Sequence, residues 1–303
     1  MLQETLLAGW RGLAGFQDRA PLRSWLYRIA TNRCLNALRA AGRRIPAEPV
    51  PPFHPPEPTR RGEITWLQPY PDDLLAGIPD TAPGPEARYQ AAEAVELAFV
   101  AALQRMPPRQ AAALLLRDVL GFTGDEVASM LGVSRTAMKG VLQRARASSA
   151  GAYRGHADRA PPGSAQEREL GWRFADAFVA GDVERVVALL TDDAWLSMPP
   201  APHEYHGTGA IGAFLRVSFG WRGERRVRLL PARANTQLAF GSYLSDQDRP
   251  VAFPAGLIVL TIGDDGIRAV TRFHLDALYP RFGLPGSVAE PARRGPVPDA
   301  RQP

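Results

Sequence analysis

Residues Thr123–Arg146 read TGDEVASMLGVSRTAMKGVLQRAR, and the spacing of this stretch organises everything around it. Val127, Ala128 and Leu131 recur at helical intervals and mark the inner face of one helix. Gly132 supplies a turn, Val133 plugs the space between helices, and Ser134 offers a hydroxyl to cap the next helix. Met138, Val141 and Leu142 pack that second helix, which leaves Arg135, Thr136, Lys139, Gln143 and Arg144 on the opposite face. Two short helices joined by a glycine turn form a helix-turn-helix. A second helix with an aliphatic inner stripe and an Arg/Lys/Gln/Thr outer face suits the DNA major groove. An ordinary helical hairpin is the alternative that these residues alone leave open.

The chain has 303 residues, enough for two or three domains, and a net charge of +5. A sequence pI near 9.8 favours an anionic partner. The charge is unevenly spread: residues 1–44 carry eight arginines against Glu4 and Asp18, a local basic patch of the kind nucleic-acid binders use. Cys34 is the single cysteine, so neither a disulfide framework nor a thiolate metal cluster can be built. Its place among Ile29, Leu35 and Leu38 predicts a buried structural thiol. No secretory leader pattern and no apolar run of membrane-spanning length occur, and a soluble cytoplasmic protein with no membrane partner is expected.

Leu2, Leu6 and Leu7 begin one helical stripe, and Pro21-Leu22 opens a second helix through Trp25, Leu26, Ile29, Ala30, Leu35 and Leu38. Dense prolines across 45–88 read as linker, interrupted by an aromatic island at Trp66–Asp72. Residues 89–150 read as helical, with Pro107-Pro108 starting the helix Arg109–Leu120, and 151–166 as a second linker. Beyond Gln166 two helices precede strand-like runs at Ala194–Met198, Arg226–Leu230, Thr236–Leu244, Val251–Ile262 and Ile267–Leu275, with a helix near Ala210–Ser218. Gly263-Asp264-Asp265-Gly266 is a hairpin turn. The fold class is therefore multidomain: helical modules at 1–44 and 89–150, an α+β domain at 167–285, and a Pro/Arg/Gly tail at 286–303 expected to be disordered.

Leu2-Gln3-Glu4-Thr5, the block Ala20–Asn32 (APLRSWLYRIATN), Leu103 with Met106–Gln110, and Gly121–Arg146 together resemble a sigma-70-type RNA polymerase sigma factor of the extracytoplasmic-function group. Trp66–Asp72 and the ending Tyr279–Pro285 are similar to a subgroup that carries a SnoaL-like (polyketide-cyclase-like) domain, a cone-shaped α+β fold, after the promoter-reading module. The resemblance implies core RNA polymerase and promoter DNA as partners and no cofactor. It places polymerase contacts at Gln3, Glu4, Leu7 and Trp10. For the melted promoter element it points to Phe16 and the loop through Ala20, with Arg23, Trp25, Tyr27, Arg28 and Arg33. Capture of unpaired bases by aromatic and Arg side chains contributes roughly 1–3 kcal/mol per base. Core packing is the competing reading for Trp25, and a solvated face for Arg28, Arg33 and Arg39. For the upstream element it points to Arg135, Thr136, Lys139 and Gln143, with Arg144 and Arg146 on phosphates. Family members carry further helices before the LQET segment, which implies either a start further upstream or a shortened factor. Asn36 stands where the family has an aspartate.

In the C-terminal domain, acid–base chemistry would need a carboxylate or histidine inside a pocket. Asp192, Asp193, His203, His206 and His274 are the candidates, and no pair among them has a convincing spacing. Asp192-Asp193 read as a turn after a helix, and His203 and His206 as members of a Pro-rich loop. A small-molecule pocket, if formed, is expected from Trp195, His206, Phe214, Trp221 and His274, within an aromatic set that includes Tyr205, Phe240 and Phe253. The preferred reading is a regulatory domain without catalytic residues or metal. The rivals are a helix-turn-helix regulator that does not bind polymerase, and a SnoaL-type cyclase or isomerase with a vestigial DNA-binding region.

Overall fold

The computed structural model describes residues 1–16, 21–40, 52–61, 67–76, 97–154, 160–246, 249–274 and 276–289. Two compact units emerge: residues 1–47 with 79–157, and residues 48–78 with 158–303. The loop through Ala20, Trp66 and the tail beyond 289 lie outside the described residues.

The first unit is all α. Helix α1 (Leu2–Gly12) crosses α2 (Leu22–Ala40) where glycine permits it: a Cβ on Gly9 would lie 2.8 Å from Leu26, and one on Gly12 would lie 3.1 Å from the Trp25 ring. The thiol expectation fails here, because Leu35 turns into the core and its neighbour Cys34 is exposed. Further on come α4 (Leu97–Arg105), α5 (Pro108–Leu114) with a π-helical turn at Leu115–Val119, α6 (Gly124–Leu131) and α7 (Arg135–Arg154). Pro107-Pro108 starts α5 as expected, but the helix passes into the wider turn before Leu120.

The second unit contains α3 (Asp72–Ala76), α8 (Ala165–Ala180), α9 (Val183–Val187), α10 (Thr208–Arg222) and one sheet. Its strands are β1 (Arg60–Arg61), β2 (Leu190–Met198), β3 (Ala201–His206), β4 (Val227–Ala234), β5 (Gln237–Ser245), β6 (Val251–Gly263), β7 (Gly266–Phe273) and β8 (Val288–Ala289). They run in the order β1-β3-β2-β7-β6-β5-β4, with β8 beside β6; only β2 and β7 pair in parallel. Register shifts in β2, β5, β6 and β7 bend the sheet. The helices cover one face, over a core built on Phe174, Tyr205, Ile211, Phe214, Ile258 and Leu260. This is the α+β cone expected of the C-terminal segment.

Strand β3 was not legible. Pro200 and Pro202 made Ala201–His206 read as a loop, yet Pro202 falls where the β2–β3 register shifts, the one place a strand tolerates a missing N–H. Asp192 and Asp193, expected at a turn, lie instead on an exposed irregular part of β2.

The described parts of the Pro-rich span 45–88 pack on this unit. Arg60 pairs with Glu204 and Arg61 with His203 of β3, and the Arg60 guanidinium donates twice to Glu204 Oε2 (2.7 and 3.0 Å). The Tyr205 hydroxyl donates to the Pro56 carbonyl at 2.8 Å, and burial, with the Glu57 charge, pushes its pKa up to about 12. Leu67, Pro69 and Pro71 are buried. Tyr70 exchanges bonds with the buried Asn235, whose Oδ1 accepts Tyr70 N–H (2.7 Å) while its own N–H donates to the Tyr70 carbonyl (2.8 Å). Asp72 accepts from Thr236 N–H (2.8 Å) and from Arg233 (3.2 Å), which also donates to Glu167 (3.0 Å). Burial opposes the Arg233 cation, but Glu167 and Asp72 outweigh it and raise its pKa. These contacts hold the β4–β5 turn, where Asn235 and Thr236 have φ of 56° and 61°.

Asn235→Ala strands the Tyr70 N–H and places a Cβ-bearing residue without local bonding at positive φ. A loss of about 1–3 kcal/mol is expected in urea unfolding. Asn235→Gly, which tolerates the backbone, should lose less.

Candidate nucleic-acid interface

Thr123 starts α6 through a capping box: its hydroxyl accepts from Glu126 N–H (3.3 Å) while Glu126 Oε2 accepts from Thr123 N–H (2.9 Å). Gly132 ends the helix at φ 64°, a left-handed conformation that glycine adopts without Cβ strain. Val133 N–H returns to the Ala128 carbonyl (3.0 Å), and Ser134 Oγ accepts from Ala137 N–H (3.2 Å) to cap α7. Val127, Ala128, Leu131 and Met138 are buried, and Val141 and Leu142 pack against them. Arg135, Thr136, Lys139, Gln143 and Arg144 are exposed, as the sequence spacing required. Arg135 pairs with Asp125 across the turn, which orients it at the start of α7. Arg146 differs: its guanidinium makes a bidentate pair with Asp118 (2.7 and 3.0 Å), so its charge is committed within the unit.

The residues expected at the melted element fall into two groups. Phe16 stacks obliquely on Trp25 at 5.2 Å, Arg28 is exposed, and Arg33 lies 3.7 Å from Glu4. Arg23 and Tyr27 instead face Phe122, with Arg23 over the Phe122 ring at 4.4 Å and Tyr27 edge-on to it at 5.1 Å. Arg23 Nη2 also donates to the Leu120 carbonyl (2.8 Å), and the Ser24 hydroxyl donates to Glu126 Oε1 (2.7 Å). Helix α2 therefore docks on the first helix of the helix-turn-helix. Arg23 and Tyr27 thus have part of their surface committed to this contact, although Arg23 stays exposed. Sequence reading passed over Phe122, although its position before the cap and its contact cluster with Val127 are those of a hydrophobic staple. On α1, Gln3, Glu4, Leu7 and Trp10 are exposed, and Trp10 is open over 77% of its surface. They share a face with exposed Leu2 and Leu6.

The expected pocket residues of the second unit separate. Trp195 stacks on His206 at 4.4 Å beneath Arg60, and Phe214 is core, 4.9 Å from the Tyr205 ring. Trp221 and His274 do line a chamber of about 600 Å³, together with Phe53, Phe219, Phe253 and Arg272. Arg222 and Arg225 also line it but are occupied with helix ends. Arg222 donates to the Phe178 and Val179 carbonyls of α8 (3.1 Å each), and Arg225 to the Trp221 and Arg222 carbonyls of α10 (2.8 and 3.0 Å). Burial, and then the Arg272 charge, hold the His274 imidazole below its usual range, tempered where solvent reaches the side chain.

A chain with this helix-turn-helix, a basic aromatic helix pair before it and an α+β cone behind it has the architecture of a transcription initiation factor. Residues 1–44 match the Sigma-70 region 2 family and residues 96–148 the Sigma-70 region 4 family. The ECF RNA polymerase sigma factor SigG of Mycobacterium tuberculosis is 39% identical over 292 residues, 95% of this chain and 77% of that protein. ECF RNA polymerase sigma factor SigJ of the same organism is 31% identical over 199 residues, 64% of this chain and 57% of that protein. The crystal structure of the SigJ extracytoplasmic function sigma factor shares the fold, with a TM-score of 0.54 and 22% identity over 94% of this chain and 90% of that one. The chain belongs to the ECF RNA polymerase sigma factors.

Hydrogen bonds from the Ser24 hydroxyl foremost, then from the Thr123 backbone and hydroxyl, hold the Glu126 carboxyl below its usual range. A depressed carboxylate stabilises the fold above its unfolded pKa of about 4.3, and that contribution disappears as pH falls through the lower folded value. Thermal unfolding of the first unit should steepen in pH dependence below about pH 4.3. Ser24→Ala should flatten that slope; identical slopes would deny the bond its role.

Proposed function

We propose that this sigma factor directs core RNA polymerase to specific promoters in the cytoplasm, with α7 reading the upstream element and the α1–α2 pair serving polymerase and the melted element. The exposed Arg135–Thr136–Lys139 surface at the start of α7, whose N-terminus Ser134 caps, carries this reading, because the first turns of a recognition helix reach base edges. Gln143 and Arg144 extend that surface. Arg28 is available to phosphates or bases, whereas Arg23 and Tyr27 have part of their surface committed to the contact with Phe122. The exposed α1 face with Leu7 and Trp10 is apolar enough to need covering, and polymerase is the partner we assign to it.

We take the C-terminal unit as regulatory and not catalytic. Its acid–base candidates are dispersed: Asp192 and Asp193 on β2, His203 on β3, His206 against Trp195, with His274 alone of them lining the chamber.

Co-elution of the full chain with core RNA polymerase tests the first claim. Binding is expected, and its absence would move the chain to a polymerase-independent helix-turn-helix regulator. On promoter DNA, Lys139→Ala should weaken binding and lower the log–log salt slope by about 1, since one phosphate-neutralising cation is lost. An unchanged affinity and slope would remove Lys139 from the interface.

A further inference from the structure

Arg272 is the one chamber arginine whose position no capping role explains. It lies on β7 between buried Thr271 and Phe273, and its guanidinium also borders a small space lined by Phe174, Phe178, Leu196 and Val270. Nη2 donates to the Ala255 carbonyl (2.9 Å), while Nε is buried without a hydrogen-bond partner. No carboxylate among the described residues pairs with it, in contrast to Arg233, which has Asp72 and Glu167. A half-buried guanidinium whose Nε lacks a partner is incompletely compensated for the water it has lost, and an anion in the chamber would complete it. Burial lowers the Arg272 pKa, which states the same cost in protonation terms.

The backbone around it is shaped for access. Gly256 opposes this end of β7 at φ 116°, where a Cβ would meet the Phe273 carbonyl at 2.9 Å and Arg272 Nε at 3.4 Å. Gly256 is pinned there by Tyr279, whose hydroxyl accepts its N–H (3.1 Å) and lies 2.5 Å from the Ser242 carbonyl. Above Arg272 the walls are rings: Phe53, Phe219, Trp221 and Phe253. Phe53 and Trp221 lie 5.7 Å apart, centre to centre. A chamber of about 600 Å³ falls in the range that holds a drug-sized molecule. Arg222 and Arg225 spend N–H groups on helix-end carbonyls, so Arg272 is the chamber cation outside such a role with a donor left over, and beside aromatic walls it suits a carboxylate on a flat apolar body.

We propose that the chamber binds a ring-bearing organic acid, with its carboxylate paired to Arg272 and its aromatic or fused-ring body between Phe53, Phe219, Trp221 and Phe253. Neutral His274 sits at the same end as a hydrogen-bond partner that adds no second charge. This deepens the regulatory reading of the C-terminal unit, but the binding itself requires neither polymerase nor DNA, so the two can fail separately.

Calorimetric titration of the full chain with naphthoate and with naphthamide, its neutral amide, tests the pairing. The acid should bind at least about tenfold more tightly than the amide, the advantage of one charge-assisted pair. Arg272→Met should abolish that preference while leaving naphthamide binding unchanged. Phe253→Ala, at a half-open wall position, should weaken both ligands. Should Arg272→Met not fold, as judged by near-ultraviolet circular dichroism, the wild-type acid-to-amide ratio decides alone. Equal binding of acid and amide, or binding of neither, overturns the proposal.

Discussion

One carboxylate, that of Glu126, ties two elements of the first unit together at the edge of its apolar core. Its Oε2 accepts from Thr123 backbone and hydroxyl and so starts α6; its Oε1 accepts from Ser24 and so fastens α2 to the same helix end. A helix N-terminus favours an anion because its first N–H groups are unpaired and its dipole is positive there. The helix-turn-helix therefore owes its first turn and its docking partner to one side chain. Phe122 sits immediately before the cap, so Arg23 and Tyr27 are drawn to the place where the cap already fixes the chain. Each of these contacts is modest; an exposed cation–π pair contributes about 0.5–1 kcal/mol. Their sum fixes a docking geometry without making it irreversible.

The second unit uses the same device at a strand turn. Asp72 accepts the Thr236 N–H and takes Arg233, in a turn whose two central residues both have positive φ. Asn235 holds that conformation with its side chain tied by a long-range bond to the Tyr70 backbone. A segment dense in proline carries no helix or ladder pattern of its own, yet it presents carbonyls, such as that of Pro56, without competing N–H groups. Its contact with the cone joins a short β1–β3 ladder and the double Arg60–Glu204 contact to separate hydrogen bonds such as that from Tyr205.

What was legible followed from periodicity. The helix-turn-helix, the α7 surface and the last hairpin were readable because each is a local pattern of apolar spacing and turn glycine. Strand β3 was hidden by Pro200 and Pro202, and the packing of 52–61 and 67–76 by composition that elsewhere means linker. Cys34 was misplaced by one helical position, since a stripe is wide enough that Leu35 satisfies it alone. The chamber was half legible: Trp221 and His274 belong to it, whereas Trp195 and Phe214 are large aromatics used for an outer stack and the core. Arg272 was missed because in a chain this rich in arginine nothing in the sequence separates a capping guanidinium from a buried one.

That separation is what the structure adds. Arg222 and Arg225 reach carbonyls at the ends of helices, where partial negative charge accumulates, and Arg233 meets two carboxylates. Arg233 is thus answered by charge, and Arg222 and Arg225 by helix-end carbonyls, although the Arg222 Nε is itself buried without a partner. Arg272 receives a single carbonyl from β6, at no helix end, and meets no carboxylate among the described residues. Replacing it by an aliphatic side chain would pack against the same apolar neighbours at no electrostatic cost, which is the usual solution where nothing must be bound. The unit instead keeps the cation and holds a glycine beside it through Tyr279, at a backbone angle that excludes a side chain. A half-buried charge and a glycine held at positive φ beside it shape one end of the chamber more narrowly than its aromatic walls do, and it is there that the proposed carboxylate is placed.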